Sequence, residues 1–232
     1  NRETDPKNIK GFNSADVIYL ITPDRFSNGD PKNDIVDGMR ENKVDRKNEG
    51  GRHGGDIRGI INHLDYIHDM GFTAIWPTPV LENNMNDYSY HGYAITNHYK
   101  VDPRMGLISD YKELSKKAKE KGIKLIYDGV INHTGSYYWW MQDLPFKNWI
   151  NYPDSIRITS HRRTVNEDMY ASIADKETMT KGWFVPTMPD MNGENPFMAN
   201  YLIQNTIWWI ETLQLGGLRQ DTYCYSNKDF SK

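Results

Sequence analysis

The sequence has 232 residues, of which 38% are hydrophobic, so it is long enough to bury one sizeable core. Its formal net charge of −3 excludes the basic footprint of a nucleic-acid-binding protein, and we expect no nucleic-acid partner. We also expect no membrane span, because no apolar run is long enough, and no signal peptide, because residues 1–13 lack its basic and apolar regions.

The first predicted elements alternate between strand and helix. Residues 17–22 form a short, mostly apolar run, which predicts a strand that is buried on both faces. A polar loop over residues 24–55 follows. Isoleucine and leucine at helical spacing then predict a helix over residues 56–70 that ends at Gly71, and residues 72–77 predict a second strand.

The alternation continues and is then interrupted. Residues 109–122 predict a helix that is capped by Ser109, and a third strand follows over residues 124–130. Residues 134–196 are rich in Trp, Tyr, Asn and Pro, show no clear period and are too long for an ordinary connection. We therefore expect an inserted subdomain there, followed by a helix over residues 196–216.

A fourth strand, residues 217–221, completes a pattern of four β/α units. Such a pattern is typical of a parallel sheet in an α/β protein, either doubly wound or a (β/α)₈ TIM-type barrel, of which four strands make half. The expected organisation is a first barrel segment (1–133), the inserted subdomain (134–196) and the barrel continuation through the fourth strand (197–232).

Aromatic residues are unusually frequent, with 7 Trp, 15 Tyr and 7 Phe, and many of them lie in polar stretches. Rings with polar edges suit flat, partly apolar ligands such as sugars, although ordinary core packing also uses them. For the rings in loops we favour ligand contact. For Trp208 and Trp209, which lie in a helical pattern, we expect a place in the core.

Polar side chains gather directly after the predicted strands. Because the carboxyl ends of parallel strands form the active face of barrels and of open α/β sheets, this edge is the predicted site. Its candidate residues are Asp24, Arg25, Asp128, Asn132, His133, Arg219 and Asp221.

Two of these segments carry a resemblance to a known family. DGVINH (128–133) and GLRQD (217–221) resemble the first and second signature motifs of the α-amylase family of glycoside hydrolases. YHGY (90–93) and VDPRMG (101–106) support the resemblance, and MPDMN (188–192) is similar to the motif of neopullulanase and cyclomaltodextrinase members. The resemblance implies a (β/α)₈ barrel with a subdomain inserted after the third strand, and a retaining hydrolase of α-glucans such as starch, maltooligosaccharides, cyclodextrins or pullulan.

The resemblance also implies roles for single residues. Asp221 matches the catalytic nucleophile, and Arg219 points to the same side of the strand, where it can donate a charge-assisted hydrogen bond to Asp221. Without the family, a structural Arg–Asp pair at a strand end is an equal interpretation. The implied substrate contacts are Tyr93, which would stack on the sugar ring, and His91, Asp128 and His133. Asn132 would support this region or a metal ion.

A second group of oxygen-bearing side chains lies in the first long loop, in SNGDPKND (27–34) and GGRHGGD (50–56). Oxygen ligands in a loop shaped by Gly and Pro suit Ca²⁺, and neopullulanase-like members are similar here. The predicted calcium ligands are Asn28, Asp30, Asn33, Asp34, the Gly54 carbonyl and Asp56. The alternative is a turn-rich loop whose Asn and Asp side chains cap their own backbone.

The sequence also departs from the family pattern. The acid/base glutamate of the family follows the fifth strand and its second conserved aspartate follows the seventh, so we expect a truncated catalytic domain that needs its C-terminal half and is inactive alone. Gln220 stands where an aliphatic residue is usual, and Cys224 and Tyr225 replace a Lys-His pair, which leaves the linkage preference open. The alternative function is that of a non-catalytic carbohydrate-binding relative.

The cysteine content says little about the compartment. Cys224 is the single cysteine and has no internal partner for a disulfide, so the fold does not need an oxidising environment. The compartment stays open, with a periplasmic or extracellular location favoured over a cytoplasmic one.

Overall fold

The computed structural model describes residues 10–231. Residues 1–9 and Lys232 lie outside this part, and so do most of the residues on which the prediction of a missing signal peptide rests. The strands are β1 (Ile18–Ile21), β2 (Ala74–Pro77), β3 (Leu81–Glu82), β4 (Asn97–Val101), β5 (Lys124–Gly129) and β6 (Gly217–Gln220).

A parallel sheet in the order β1-β2-β5-β6 forms the centre of the fold, and it confirms the predicted α/β arrangement. All four of its strands lie within the segments predicted to be strands. The register of β5 and β6 places Asp128 opposite Arg219 at the carboxyl edge of the sheet. The short antiparallel hairpin β3–β4 was not predicted from the sequence.

The helices are α1 (Pro23–Phe26), α2 (Ile57–Asn62), α3 (Leu64–Asp69), α4 (Ile108–Glu120), α5 (Ile173–Lys181) and α6 (Pro196–Leu213). The helix predicted over residues 56–70 is therefore two helices. The break falls at His63, whose backbone φ of −112° leaves the helical region and whose Nδ1 lies 2.8 Å from the Gly59 carbonyl oxygen. The apolar face is continuous across the break, because Ile57, Ile60, Ile61, Leu64 and Ile67 are all buried.

Two predicted helix ends are wrong. Ser109 does not cap α4, because the cap position is Leu107, whose backbone N–H donates to the Asp110 carboxylate at 2.8 Å. The helix predicted to reach residue 216 ends at Leu213, where Gln214 takes a left-handed conformation with φ 49°. The start of α6 follows the ordinary rule, since the Asn195 side chain accepts from the first backbone N–H groups.

The main apolar core lies between the parallel sheet and helices α2, α3, α4 and α6. Trp209 is fully buried there, and its ring centroid lies 5.9 Å from that of Tyr127. Trp208 is 36% exposed and contacts Tyr99 at the surface, so its predicted place in the core is wrong. Adjacent helical positions point about 100° apart, and only one of the two tryptophans can face the sheet.

The segment between β5 and α6 builds a second apolar cluster together with the start of α6. This cluster consists of Tyr138, Trp140, Trp149, Ile150, Trp183, Met191, Met198 and Leu202. The segment includes α5, which the sequence pattern did not predict. It also reaches the chain beyond β6, because the Asn166 side chain donates to the Cys224 carbonyl and His161 Nδ1 lies 3.1 Å from the Tyr225 hydroxyl oxygen. The boundaries of the expected subdomain stay a prediction.

Apolar side chains line both edges of the sheet. In the described part of the chain, β1 and β6 each have one side that pairs with no strand. Leu20 of β1 is 50% exposed, and α6 carries an exposed stripe of Ile203, Ile207 and Ile210. We call the unpaired sides of β1 and β6, together with the exposed stripe of α6, the open edges.

Among residues 10–231, no helix combines the length and the apolarity that crossing a membrane requires.

Candidate active site

Three charged side chains meet at the carboxyl edge of β5 and β6. Nη1 of Arg219 lies 2.7 Å from Oδ1 of Asp128 and 2.8 Å from Oδ1 of Asp221. Both carboxylates are buried, whereas the Arg219 side chain is about one-third exposed. A single nitrogen therefore fixes both acidic groups, which lie on neighbouring strands.

The other oxygen of Asp128 is also fully used. Oδ2 accepts hydrogen bonds from Trp76 Nε1 at 2.9 Å and from the Tyr93 hydroxyl at 3.0 Å. Burial raises the pKa of Asp128 above its ordinary value, while the hydrogen bonds from Arg219, Trp76 and Tyr93 act in the opposite direction. In this arrangement Asp128 is an acceptor at both oxygens, and it orients three neighbouring groups.

Trp76 was missed by the sequence interpretation. It is the penultimate residue of β2, its indole donates to Asp128, and its ring centroid lies 4.8 Å from the Arg219 guanidinium carbon. The sequence contained a signal for this role of Trp76, because a polar-edged ring at the carboxyl end of a central strand lies next to the predicted site.

His91 and Tyr93 form one wall of the site. The Tyr93 backbone N–H donates to His91 Nδ1 at 2.9 Å, and the two rings stack with centroids 5.8 Å apart. Burial lowers the pKa of His91 to about 4, against the opposing effect of the Asp221 carboxylate. Burial, and then Asp128, raise the pKa of Tyr93. At neutral pH both rings are uncharged, and Tyr93 keeps the proton that it donates to Asp128.

His133 is fully buried close to Tyr93, His91 and Asp221. Its ring stacks on Phe184 with centroids 5.1 Å apart, and its Nε2 has no hydrogen-bond partner among the described residues. Burial lowers the pKa of His133 to about 4, so the ring is neutral at pH 7. A buried nitrogen without a partner is costly, which makes His133 Nε2 a group that a polar ligand can satisfy. The adjacent Asn132 contacts this ring, because its Nδ2 lies 3.5 Å from His133 Nδ1, and its Oδ1 accepts from Ser226 Oγ at 3.2 Å.

Backbone strain follows Asp221 directly. Thr222 has φ 47° and ψ 35°, the left-handed region that a β-branched residue rarely adopts, and its buried hydroxyl has no hydrogen-bond partner among residues 10–231. Strain of this kind costs roughly 1–3 kcal/mol and is concentrated at functional sites. This strain was not predicted from the sequence.

Asp24 and Arg25, which were also predicted at this edge, have other contacts. The Asp24 carboxylate accepts from the backbone N–H groups of His53 and Gly54. Arg25 lies 3.9 Å from the Tyr90 ring centroid and donates to the Glu49 carbonyl at 2.6 Å. In the structure both residues organise the long loop between α1 and α2.

The predicted calcium residues do come together in this loop. Asn28 Nδ2 donates to Asp34 Oδ1 at 2.7 Å, and a Cβ atom placed on Gly54 would lie 2.7 Å from the same oxygen. Gly54 also has φ +87°, so both its conformation and this close approach require glycine. The Asp30 side chain lies at the rim, where it accepts from the Lys32 backbone N–H at 3.2 Å.

Two side-chain oxygens of this loop are suited to bind a hard cation. Asp56, another predicted ligand, instead accepts hydrogen bonds from the protein. Asn28 Oδ1 and Asn33 Oδ1 are buried and have no hydrogen-bond partner in the described part of the chain. The Asp56 carboxylate, in contrast, accepts four hydrogen bonds, from the N–H groups of Gly29, Asp30 and Gly59 and from Asn33 Nδ2. Asp56 thus fixes the loop onto the start of α2.

Residues 10–231 contain no group of three or more His, Cys, Asp or Glu side chains that are placed to share a metal ion. The loop offers mainly amide and carbonyl oxygens, which Ca²⁺ also accepts as ligands.

Comparison with known proteins identifies a family for this chain. The sequence model of the family described as "Alpha amylase, catalytic domain" matches residues 20–231. A β/α-amylase of Paenibacillus polymyxa is 37% identical over 99% of this chain and 18% of its own length. Neopullulanase 2 of Thermoactinomyces vulgaris is 30% identical over 84% of this chain and 32% of its own length.

Among solved structures, an α-amylase of Anoxybacillus superimposes with a TM-score of 0.78 at 37% sequence identity. The match covers 93% of this chain and 42% of that protein. The chain thus spans less than half the length of each of these three relatives.

Proposed function

This chain belongs to the α-amylase family, and from that premise we propose that it carries the nucleophile half of the active site of a retaining α-glucan hydrolase. One observation carries the proposal: Arg219 Nη1 bridges Asp128 and Asp221 at the carboxyl edge of the sheet, at 2.7 and 2.8 Å. We use the term complete enzyme for this chain followed by the remainder of a catalytic domain of the length that its relatives have.

In the proposed reaction, an oxygen of Asp221 attacks the anomeric carbon of a glucose residue. The bond from that carbon to the glycosidic oxygen breaks, and the departing oxygen takes a proton from a general acid, the glutamate expected beyond this chain. A glucosyl ester of Asp221 results, and water then cleaves it with the same glutamate as base. Arg219 holds Asp221 in place for the attack through the ion pair at 2.8 Å.

The remaining side chains bind the glucose residue under attack. The neutral His133, whose Nε2 has no partner among the described residues, accepts from or donates to a sugar hydroxyl, according to its tautomer. Tyr93 offers its ring face to the sugar, next to His91. Asp128, a predicted sugar contact, has a fully buried side chain and therefore acts on the sugar by keeping Tyr93, Trp76 and Arg219 in place.

The finer parts of the fold belong to the same proposal. We assign residues 134–196 to a subdomain inserted after the third strand of a (β/α)₈ barrel. Its separate apolar cluster and its contacts with Cys224 and Tyr225 support this assignment. The segment would then form one side of the substrate cleft next to Asp221.

The configuration of the first product tests the mechanism. The complete enzyme is expected to release the α-anomer from maltooligosaccharides, because two displacements at one carbon restore its configuration. Proton NMR during the first minutes of hydrolysis distinguishes this anomer from the β-anomer before the two interconvert. Initial release of the β-anomer would exclude Asp221 as a nucleophile, and binding without cleavage would identify a non-catalytic carbohydrate-binding relative.

We further propose that the loop around Asn28 binds one structural Ca²⁺. The buried oxygens of Asn28 and Asn33, which lack partners among the described residues, support this proposal, as does the approach of Gly54 to Asp34. The ion would be held by these oxygens, by Asp34, by the Gly54 carbonyl and by Asp30 at the rim. Asp56, which was also predicted as a ligand, acts by positioning the loop, because its carboxylate already accepts four hydrogen bonds. The ion would stabilise the link between β1 and α2.

Calcium is therefore expected to raise the melting temperature of the complete enzyme in proportion to the logarithm of its free concentration. A chelator should lower the melting temperature, and Asp34→Ala should remove most of the calcium dependence. Asp37→Ala is the matched control, because Asp37 is an exposed aspartate of the same loop. If the chelator leaves the melting curve unchanged, the loop is only a set of turns.

A further inference from the structure

Tyr88 is an aromatic residue with a left-handed backbone and an exposed side chain. Its backbone lies in the left-handed region, with φ 57° and ψ 21°, and its side chain is 61% exposed. For a residue with a Cβ this backbone conformation costs roughly 1–2 kcal/mol. An exposed ring recovers none of that free energy through burial in the protein. The surroundings of Tyr88 must therefore impose its conformation.

The next residue, Ser89, imposes the backbone conformation of Tyr88. Ser89 is buried, and both its backbone N–H and its hydroxyl donate to Glu41 Oε2, at 2.8 and 2.6 Å. Glu41 is itself buried, so this contact is shielded from water. The Ser89 anchor fixes the start of the short helical turn Ser89–His91, and Tyr88 is held at its entrance.

The ring of Tyr88 is also held, on one side only. A Cβ atom placed on Gly50 would lie 2.5 Å from Cε1 of Tyr88, so the ring rests on the bare backbone of Gly50. The Gly50 loop is tied to the same turn, because Arg25 donates to the Glu49 carbonyl and lies over the Tyr90 ring. The ring thus has a fixed position, and much of it faces solvent.

This ring lies on the loop that builds the candidate active site. Three residues after Tyr88 comes His91, and two residues later Tyr93 donates to Asp128. The contacts of Glu41, Gly50 and Arg25 therefore position Tyr88 and the sugar-stacking wall as one unit.

We propose that Tyr88 forms an additional subsite that stacks on a glucose residue other than the one at Asp221. The inference rests on the proposed function, because the ligand is an α-glucan chain that extends from the same cleft. An exposed aromatic ring with a hydroxyl edge matches the C–H face and hydroxyl rim of glucose. Held in place beforehand, the ring loses little side-chain entropy on binding. Strain that persists at an exposed residue is consistent with selection for a ligand contact.

The test compares substrates of different length in the complete enzyme. In Tyr88→Ala, the ratio of kcat/KM for maltohexaose to kcat/KM for an aryl α-glucoside should fall about fivefold, the size of one aromatic stacking contact. Tyr88→Phe keeps the ring and should keep the wild-type ratio. Tyr66→Ala is the matched control, since Tyr66 is a 51% exposed tyrosine on α3, away from the sheet edge.

Tyr88→Gly distinguishes the effect of losing the ring from the effect of backbone strain, because glycine adopts the left-handed backbone without cost. It should lower the ratio as much as Tyr88→Ala does, while melting shows that the fold is kept. An unchanged ratio in Tyr88→Ala would overturn the subsite, and so would an equal loss on both substrates. If the wild-type enzyme cleaves neither substrate, the proposed function fails first, and the two failures are thereby distinguished.

Discussion

The complete enzyme with Asp221→Asn should lose at least about 10³-fold in kcat on maltooligosaccharides, because the amide cannot attack the anomeric carbon. Its fold should survive, because the asparagine carbonyl can still accept from Arg219, which lies 2.8 Å from Asp221 Oδ1 in the structure. Hydrolysis rates and thermal melting curves, measured on the same preparation, check both expectations.

The control is Asp154→Asn, which makes the same chemical change at an exposed aspartate in the segment between β5 and α6. It should leave both rate and melting temperature unchanged. If Asp221→Asn keeps even a tenth of the wild-type rate, the loss is far smaller than that of a missing catalytic group, and Asp221 is not the nucleophile.

The 232-residue chain alone should not hydrolyse maltooligosaccharides at an enzymatic rate. Asp128 is the carboxyl group that shares Arg219 with Asp221, and both of its oxygens accept hydrogen bonds, so it has no proton directed at a leaving group. The loss of one general acid typically removes a factor of about 10²–10⁴. The open edges should also make the isolated chain prone to aggregation, because unpaired strands and apolar helix faces associate readily.

Two substrates with different leaving groups test whether a general acid lies within the 232-residue chain. An aryl α-glucoside with a good leaving group needs little protonation, whereas a maltooligosaccharide needs much. Some activity of the monomeric chain on the first substrate alone agrees with a nucleophile that lacks its acid. Rapid cleavage of the second would show that an acid lies within the chain. Glu167 and Glu194, between β5 and α6, would be tested first, although Glu194 is held by Lys181 at 3.3 Å.

The four strands of the parallel sheet and their order along the chain were predictable from the sequence, because β1, β2 and β5 contain short apolar runs and β6 follows directly on the glycines after a helical pattern. The edge at which the polar side chains meet follows from the parallel arrangement alone. The contact between Arg219 and Asp221 was predictable as well, since alternate residues of a strand point to the same side. The resemblance to a family added the chemical roles, which spacing alone leaves open.

The features that the sequence did not reveal depend on contacts between distant residues. Trp76 joins the site only because β2 pairs with β5, which brings its indole to Asp128 across 52 positions. The break at His63 and the left-handed Thr222 are conformations that local propensity disfavours and that tertiary packing imposes. The same reason explains why the apolar pattern of residues 56–70 correctly identified the buried face but not the break.

The shared nitrogen of Arg219 has an electrostatic consequence. One guanidinium between two carboxylates leaves the corner of the sheet with an excess of one negative charge when both acids are ionised. In a buried setting this excess is weakly screened by salt, and it attracts any ligand atom that gains positive charge. In the proposed reaction, a sugar ring that flattens and becomes cationic would thus be held more tightly than the neutral ring that first entered. Protonation of Asp128, whose pKa burial raises, would cancel that preference.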